Sequence, residues 1–223
     1  MIITIDGPAA AGKGTLASTL SEKYHLAYFD TGMIYRAVGL EIRLSGVDVN
    51  DEQQALLVAQ TMTFPRMMEL AKDKRLRDSI GGEYASIVAA MTSVRAKLLK
   101  MQQDFALHPV YADGTPAKGA IYDGRDTGTV VCPHADIKFY ITASPEVRAD
   151  RRYKEFVAKG VDITYEQVLQ DVKIRDERDS NRSSAPLKPA EDAIILDTSN
   201  LGIAEVLKKA CEIIDSYQKT LEK

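Results

Sequence analysis

Apolar positions follow two rhythms that alternate along the chain. Residues 1–6 form a short, nearly continuous apolar run that stops at Asp6-Gly7-Pro8, the pattern of a buried strand entering a turn. From Lys13 the spacing becomes that of a helix face, carrying Leu16, Leu20 and Tyr24. Residues 26–30 read as a second strand, 31–44 as a helix and 47–50 as a loop. Between 51 and 106 the pattern is mostly helical, broken at Thr63-Phe64-Pro65 and at Gly81-Gly82. Thr92 and Ser93 are candidate caps for the helix carrying Arg95, Leu98, Leu99 and Gln102. The polar stretch 108–118, with Pro109, Gly114 and Pro116, reads as an exposed turn. Strands are expected at 119–123, 137–142 and 193–197. Helices start at Ser144-Pro145 and at a capping box of Thr164 with Gln167, and a last helix covers 203–221.

Strands alternating with helices predict an α/β fold, a parallel sheet covered by helices on both faces. Ligands of such sheets sit at the carboxyl ends of the strands, where Asp6, Asp30 and Asp123 all fall. The chain has 223 residues, 45% of them hydrophobic and 27% charged, enough to bury a core without disulfide or metal staples. A net charge of −3 gives no general reason for a nucleic-acid or anionic-membrane partner, so any basic site must be local. Cys132 and Cys211 are too few for a disulfide framework or a zinc site, and His25, His108 and His134 share no ligand spacing. The chain opens directly into a strand-like run, with no basic leader and no long apolar span, so a cytoplasmic protein is expected.

The loop Gly7-Pro8-Ala9-Ala10-Ala11-Gly12-Lys13-Gly14-Thr15 follows a strand and opens a helix, the context a Walker A match requires. Its glycines let backbone N–H groups turn inward on phosphate oxygens, and the helix N-terminus adds positive potential. Lys13 is placed to reach the β and γ phosphates of a nucleoside triphosphate. Gly14 stands where the general motif has Ser or Thr, so Thr15 is the hydroxyl expected on the Mg²⁺ side.

Two further strand ends carry arginines: Asp30-Thr31-Gly32-Met33-Ile34-Tyr35-Arg36 and Asp123-Gly124-Arg125-Asp126. Arg36 and Arg125 are candidate ligands of an acceptor phosphate, and Asp123 a candidate for a Mg²⁺-bound water. Arg175, Arg178, Asp179 and Arg182 fall on one face if the segment is helical, with Arg148, Arg151 and Arg152 upstream. Phosphoryl transfer needs such cations around the transferring group and little covalent chemistry. On these residues alone the acceptor stays open between a nucleotide such as UMP and another small metabolite. A non-catalytic nucleotide-binding regulator is the reading from another class.

These segments, together with Gly128-Thr129-Val130-Val131 and Ala185-Pro186-Leu187, resemble the bacterial cytidylate kinases of the nucleoside monophosphate kinase group, in family order from residue 2 to about 210. The resemblance implies a single P-loop kinase domain. Its core would comprise 1–47, 107–147 and 185–223, with an acceptor-binding insert at about 48–106 and a lid at about 148–184. It implies transfer of the γ-phosphate of ATP to CMP or dCMP with Mg²⁺, by a protein expected to be monomeric. By position, Ser86, Arg95 and Asp126 would read cytosine; Arg36, Arg125, Arg175 and Arg182 would hold the acceptor phosphate; and Asp179 would meet the ribose. Arg148, Arg151 and Arg152 would serve ATP, while Asp30 and Thr31 line the acceptor side. Ala9-Ala10 departs from the family's usual Ser-containing pair, and Thr31 stands where Ser is frequent. The segment 57–77 is shorter than in some relatives, and 108–118 longer.

Overall fold

The computed structural model describes residues 1–221, so the last two residues of the expected core segment lie outside the described residues. Five strands, β1 (Ile2–Asp6), β2 (Ala27–Asp30), β3 (Ala120–Gly124), β4 (Ile137–Thr142) and β5 (Ile194–Asp197), make one sheet in the order β2-β3-β1-β4-β5, every pair parallel. The register sets Asp30 beside Asp123 and Asp6 beside Gly124, so the first three strand ends meet at one rim.

Nine helices accompany the sheet among the described residues: α1 (Lys13–Tyr24), α2 (Thr31–Ser45), α3 (Glu52–Thr61), α4 (Phe64–Leu70), α5 (Ser79–Val88), α6 (Thr92–Leu107), α7 (Pro145–Ala158), α8 (Tyr165–Asn181) and α9 (Ile203–Leu221). Ile3, Ile5, Ile121 and Phe139 pack on one face against Leu16 and Leu20 of α1 and Val206 and Ile214 of α9. Phe29 and Tyr122 pack on the other face, in a core shared with α2 and with the helices of 48–106. There Phe105 of α6 closes an aromatic cluster, its ring 4.4 Å from Phe29 and 5.9 Å from Tyr122. The helices of 48–106 are therefore seated on the sheet's own core. A third, small cluster, Ala149, Val168 and Val172 with Tyr153, Phe156 and Leu169, belongs to α7 and α8 alone.

The two helix breaks expected within 51–106 have different outcomes. Thr63 is the N-cap of α4, accepting a bond from the Arg66 N–H, and Pro65 sits in the first turn where its missing donor costs nothing. Gly81-Gly82 lies inside α5 and breaks nothing. The reason for glycine is proximity: a Cβ at Gly81 would stand 2.4 Å from the Arg75 carbonyl oxygen in the 3₁₀ turn Lys74–Arg77. Gly→Ala within a helix normally stabilises by up to about 1 kcal/mol. Gly81→Ala is expected to do the reverse, destabilising by about 1–3 kcal/mol as the 3₁₀ turn is forced away. Urea unfolding measures it, and a gain in stability would refute the packing argument.

Thr92 and Ser93 do not cap α6, whose N-cap is Met91 with no side-chain bond. Glu52 of α3 reaches across instead, accepting from the Ser93 N–H at 3.3 Å and its hydroxyl at 2.6 Å. The exposed turn at 108–118 is closed by a Val110–Pro116 bridge, and Tyr111 donates to the His25 carbonyl at 2.8 Å. No helix among the described residues is long and apolar enough to cross a membrane.

Candidate active site

The loop between β1 and α1 needs glycine at its root: at Gly7, φ is +147° and a Cβ would lie 1.9 Å from the Ile141 carbonyl oxygen. The chain then passes Pro8, Ala9, Ala10 and Ala11 and enters α1 through Gly12, whose left-handed φ of 93° makes it the N-cap. Lys13 is 5% exposed. Its ammonium donates to the Pro8 carbonyl at 2.8 Å and stands 4.0 Å from the Asp123 carboxylate. Burial, reinforced by Arg125, pulls the Lys13 pKa down to about 7. Burial likewise pushes Asp123 up to about 6, against the pull of Lys13. Both charges are short of solvation, a state that an anion arriving with its own counter-cation would relieve.

A cleft of about 330 Å³ runs from this loop across the strand ends to α2, α5, α6 and α8. It is lined by Ala9, Ala10, Gly12, Lys13, Gly14 and Thr15 on one side. Facing them are Asp30, Thr31, Arg36, Arg77, Ser86, Arg95, Asp123, Arg125, Asp126, Arg152, Glu155, Arg175, Asp179 and Arg182, among others. Eight cationic and five acidic side chains face it, the reverse of the balance of the whole chain, so the cleft favours anions.

The strand ends hold their side chains by local bonds. Asp30 caps α2 through the Met33 N–H at 3.1 Å, and the Thr31 hydroxyl donates to the Asp123 carbonyl at 2.8 Å. Arg36 is tied to the Leu76 carbonyl at 3.0 Å, and burial lowers its pKa to about 10. Arg125 donates through Nε to Asp179 at 3.0 Å. Burial pushes the Asp179 carboxyl up, but Arg125 and Arg175 outweigh it and hold the group below the usual carboxylate range. Burial and the neighbouring Arg125 bring Arg175 down to about 9. Asp126, 5% exposed, pairs with Arg95 on one oxygen and lies 3.7 Å from Arg182 on the other.

Four buried side-chain polar atoms lack a hydrogen-bond partner among the described residues, and three of them belong to this cleft: Ser86 Oγ, Arg175 Nε and Arg182 Nη2. Buried polar groups are nearly always paired, since each one left unpaired costs about 1–3 kcal/mol. Three orphans around one cleft mark the place of a polar ligand.

Some predicted residues lie elsewhere. Arg148 is 3% exposed and does not line the cleft. It donates to the carbonyls of Ala143 (2.9 Å) and Ala9 (3.2 Å) and forks onto Asp176 at 3.0 and 2.5 Å. Its guanidinium is consumed in fastening α7 and α8 to the phosphate loop. Arg151 also stays outside the cleft, bonded to the hydroxyl (3.0 Å) and carbonyl (2.7 Å) of Thr198. The shared helix face of 175–182 needs correction. The helix α8 ends at Asn181, and Arg182 follows with extended backbone, donating to the Ala185 carbonyl at 2.5 Å. Arg178 faces a neighbouring cavity between α5 and α8.

Among the cleft residues not singled out in the sequence are Tyr35, Arg77 and Glu155. Tyr35 lies under Arg95, its ring centre 5.4 Å from the guanidinium, a cation–π contact. Its signal was its place beside Arg36. Arg77, from the 3₁₀ turn, lines the cleft and pairs with Asp30 at 3.4 Å, and nothing in its periodicity set it apart.

The cytidylate kinase family model matches residues 3–216. The chain is 47% identical to the cytidylate kinase of Xanthobacter autotrophicus, over 97% of this chain and 98% of that protein. It is 47% identical to that of Rhodospirillum rubrum over 99% and 100%, and 46% identical to that of Azorhizobium caulinodans over 96% and 98%. Among solved structures, the shikimate kinase of Bacteroides thetaiotaomicron superposes with a TM-score of 0.50 at 12% identity, covering 100% of this chain and 99% of that one. An uncharacterized protein from Eubacterium ventriosum does so at 0.51 and 14% identity, over 97% and 98%. These two likenesses concern the fold alone.

Proposed function

Because this chain belongs to the cytidylate kinase family, we propose that its cleft passes the γ-phosphate of ATP to CMP or dCMP, giving ADP and CDP or dCDP. The observation that carries this reading is the set of orphaned donors, Ser86, Arg175 and Arg182, in the same cleft as the Lys13 loop. Cytosine offers an amino donor to Asp126 and ring-nitrogen and carbonyl acceptors to Ser86 and Arg95. Arg36, Arg125, Arg175 and Arg182 hold the acceptor phosphate, and Asp179 meets the ribose. Around 48–106 the chain forms the acceptor-binding insert, and 148–184 the lid.

The chemistry is in-line displacement. An oxygen of the acceptor phosphate forms a bond to the γ-phosphorus of ATP as the bond to the β-bridging oxygen breaks, and ADP leaves with that electron pair. A phosphate monoester is already a competent nucleophile, so no general base and no covalent enzyme intermediate is needed. Lys13 and the arginines face the three oxygens over which charge spreads, and they are oriented before the reaction begins. Arg152, which lines the cleft from α7, serves the ATP phosphates. Mg²⁺ fits the donors present: the Thr15 hydroxyl and the Asp123 carboxylate, the latter through water, are hard oxygen groups beside the phosphate loop. When bound, it supplies neutralisation of phosphate charge.

We place the protein in the cytosol, a reading supported by two free, buried cysteines, Cys132 and Cys211, and take it to act as a monomer. The decisive experiment is a panel of acceptors with ATP and Mg²⁺, followed by coupled ADP release. CMP and dCMP are expected to turn over, with UMP at least about 10²-fold poorer in kcat/KM because its carbonyl would face the Asp126 carboxylate. Equal use of UMP would discard the base assignment, and ATP binding without any acceptor-dependent ADP would favour a regulator.

A further inference from the structure

The carboxylate of Asp6 does not line the cleft and takes no part in the chemistry described above, yet it is 3% exposed and fully bonded. One oxygen accepts the Thr127 N–H at 2.9 Å and the Thr127 hydroxyl at 2.8 Å, and the other accepts the Gly128 N–H at 2.8 Å. Those donors open the wide π-helical turn Thr127–Val131, which follows Asp126 directly. From the other side, the Asp126 carbonyl accepts the Val130 and Val131 N–H groups at 2.9 and 3.2 Å. Asp126 is therefore set in place by its own turn and by whatever holds that turn. Asp6 is also the last residue of β1, one position before the Gly7 root of the phosphate loop.

We propose that Asp6 is a positioning residue for acceptor recognition: by seating the turn at Thr127 and Gly128 it fixes the Asp126 carboxylate between Arg95 and Arg182, in register with the root of the phosphate loop. The inference rests on the cytidylate kinase reading. A seat of this kind acts on base choice rather than on ATP, because the bonds Asp6 makes go to the turn that carries Asp126 and not to the phosphate loop. An amide at position 6 keeps one acceptor oxygen but turns an NH₂ group toward a backbone N–H. One donor is then unpaired, and the turn must move to relieve the clash.

Asp6→Asn is assayed with CMP and UMP as acceptors and with ATP varied, beside the wild type. The expected result is a KM for CMP raised about 10-fold and a CMP-to-UMP preference reduced by a similar factor, with the KM for ATP within about twofold. A merely structural role would lower the melting temperature and leave the preference alone. That outcome, or an equal rise in the KM for ATP, overturns the proposal. If Asp6→Asn does not fold, Thr127→Val decides, since it removes only the hydroxyl donor. A shift of about threefold in the same preference supports the seat, and an unchanged preference overturns it. A wild type unable to phosphorylate CMP would instead sink the underlying kinase reading.

Discussion

Lys13→Met leaves a folded protein that has lost at least about 10³-fold in kcat, the scale set by removing a preorganised charge from a phosphoryl-transfer site. The free protein is expected to melt within a few degrees of wild type. In the ligand-free fold Lys13 is a buried ammonium with one carbonyl at 2.8 Å and a carboxylate no nearer than 4.0 Å, so it contributes little to stability. Its pKa near 7 records the same cost, and the methionine keeps most of the stem's packing. Coupled ADP release and a melting curve test the two halves separately. Turnover like that of the wild type would remove the loop from the mechanism, whereas a collapse of the fold would show the lysine to be structural.

Asp126→Asn carries the second large effect. The carboxylate lies between Arg95 and Arg182, and of the residues proposed to read the base it is the one able to accept from an amino group while repelling a carbonyl. An asparagine there can turn its NH₂ outward and donate to the carbonyl of uracil. The expected result is a CMP-to-UMP ratio of kcat/KM reduced by about 10²-fold, mostly through poorer use of CMP. Loss of the negative charge also leaves the two guanidiniums facing each other, so the variant should unfold more easily. A ratio equal to that of the wild type would show that cytosine is read elsewhere.

Much of this was legible in the sequence because its signals are local. A strand, a glycine-bearing loop and a helix in succession announce the Lys13 loop, and the three aspartates marked the strand ends that meet at one rim. What escaped depends on contacts between distant segments. Gly81-Gly82 reads as a break until the 3₁₀ turn is seen pressing on the helix. Ser93 looks like a cap of its own helix, but its partner is Glu52. Arg148 has the composition of a phosphate ligand, and only the carbonyls of Ala9 and Ala143 show where its donors go. Arg178 and Arg182 fall together on an ideal helix, and the chain leaves the helix between them. Spacing along the chain cannot report where a helix stops to within one turn.

The private cluster of Ala149, Val168 and Val172 gives α7 and α8 a packing unit of their own. A rotation of the pair would leave both sheet faces packed, because the apolar contacts of that cluster are internal. Arg148 ties the pair to the phosphate loop, one terminal nitrogen of its guanidinium donating both to the Ala9 carbonyl and to Asp176 of the second helix, and any rotation would turn about that tie. Arg152 on α7 and Arg175 on α8 both line the cleft, so a rotation of the pair toward the phosphate loop would carry two cations with it and narrow the opening to water.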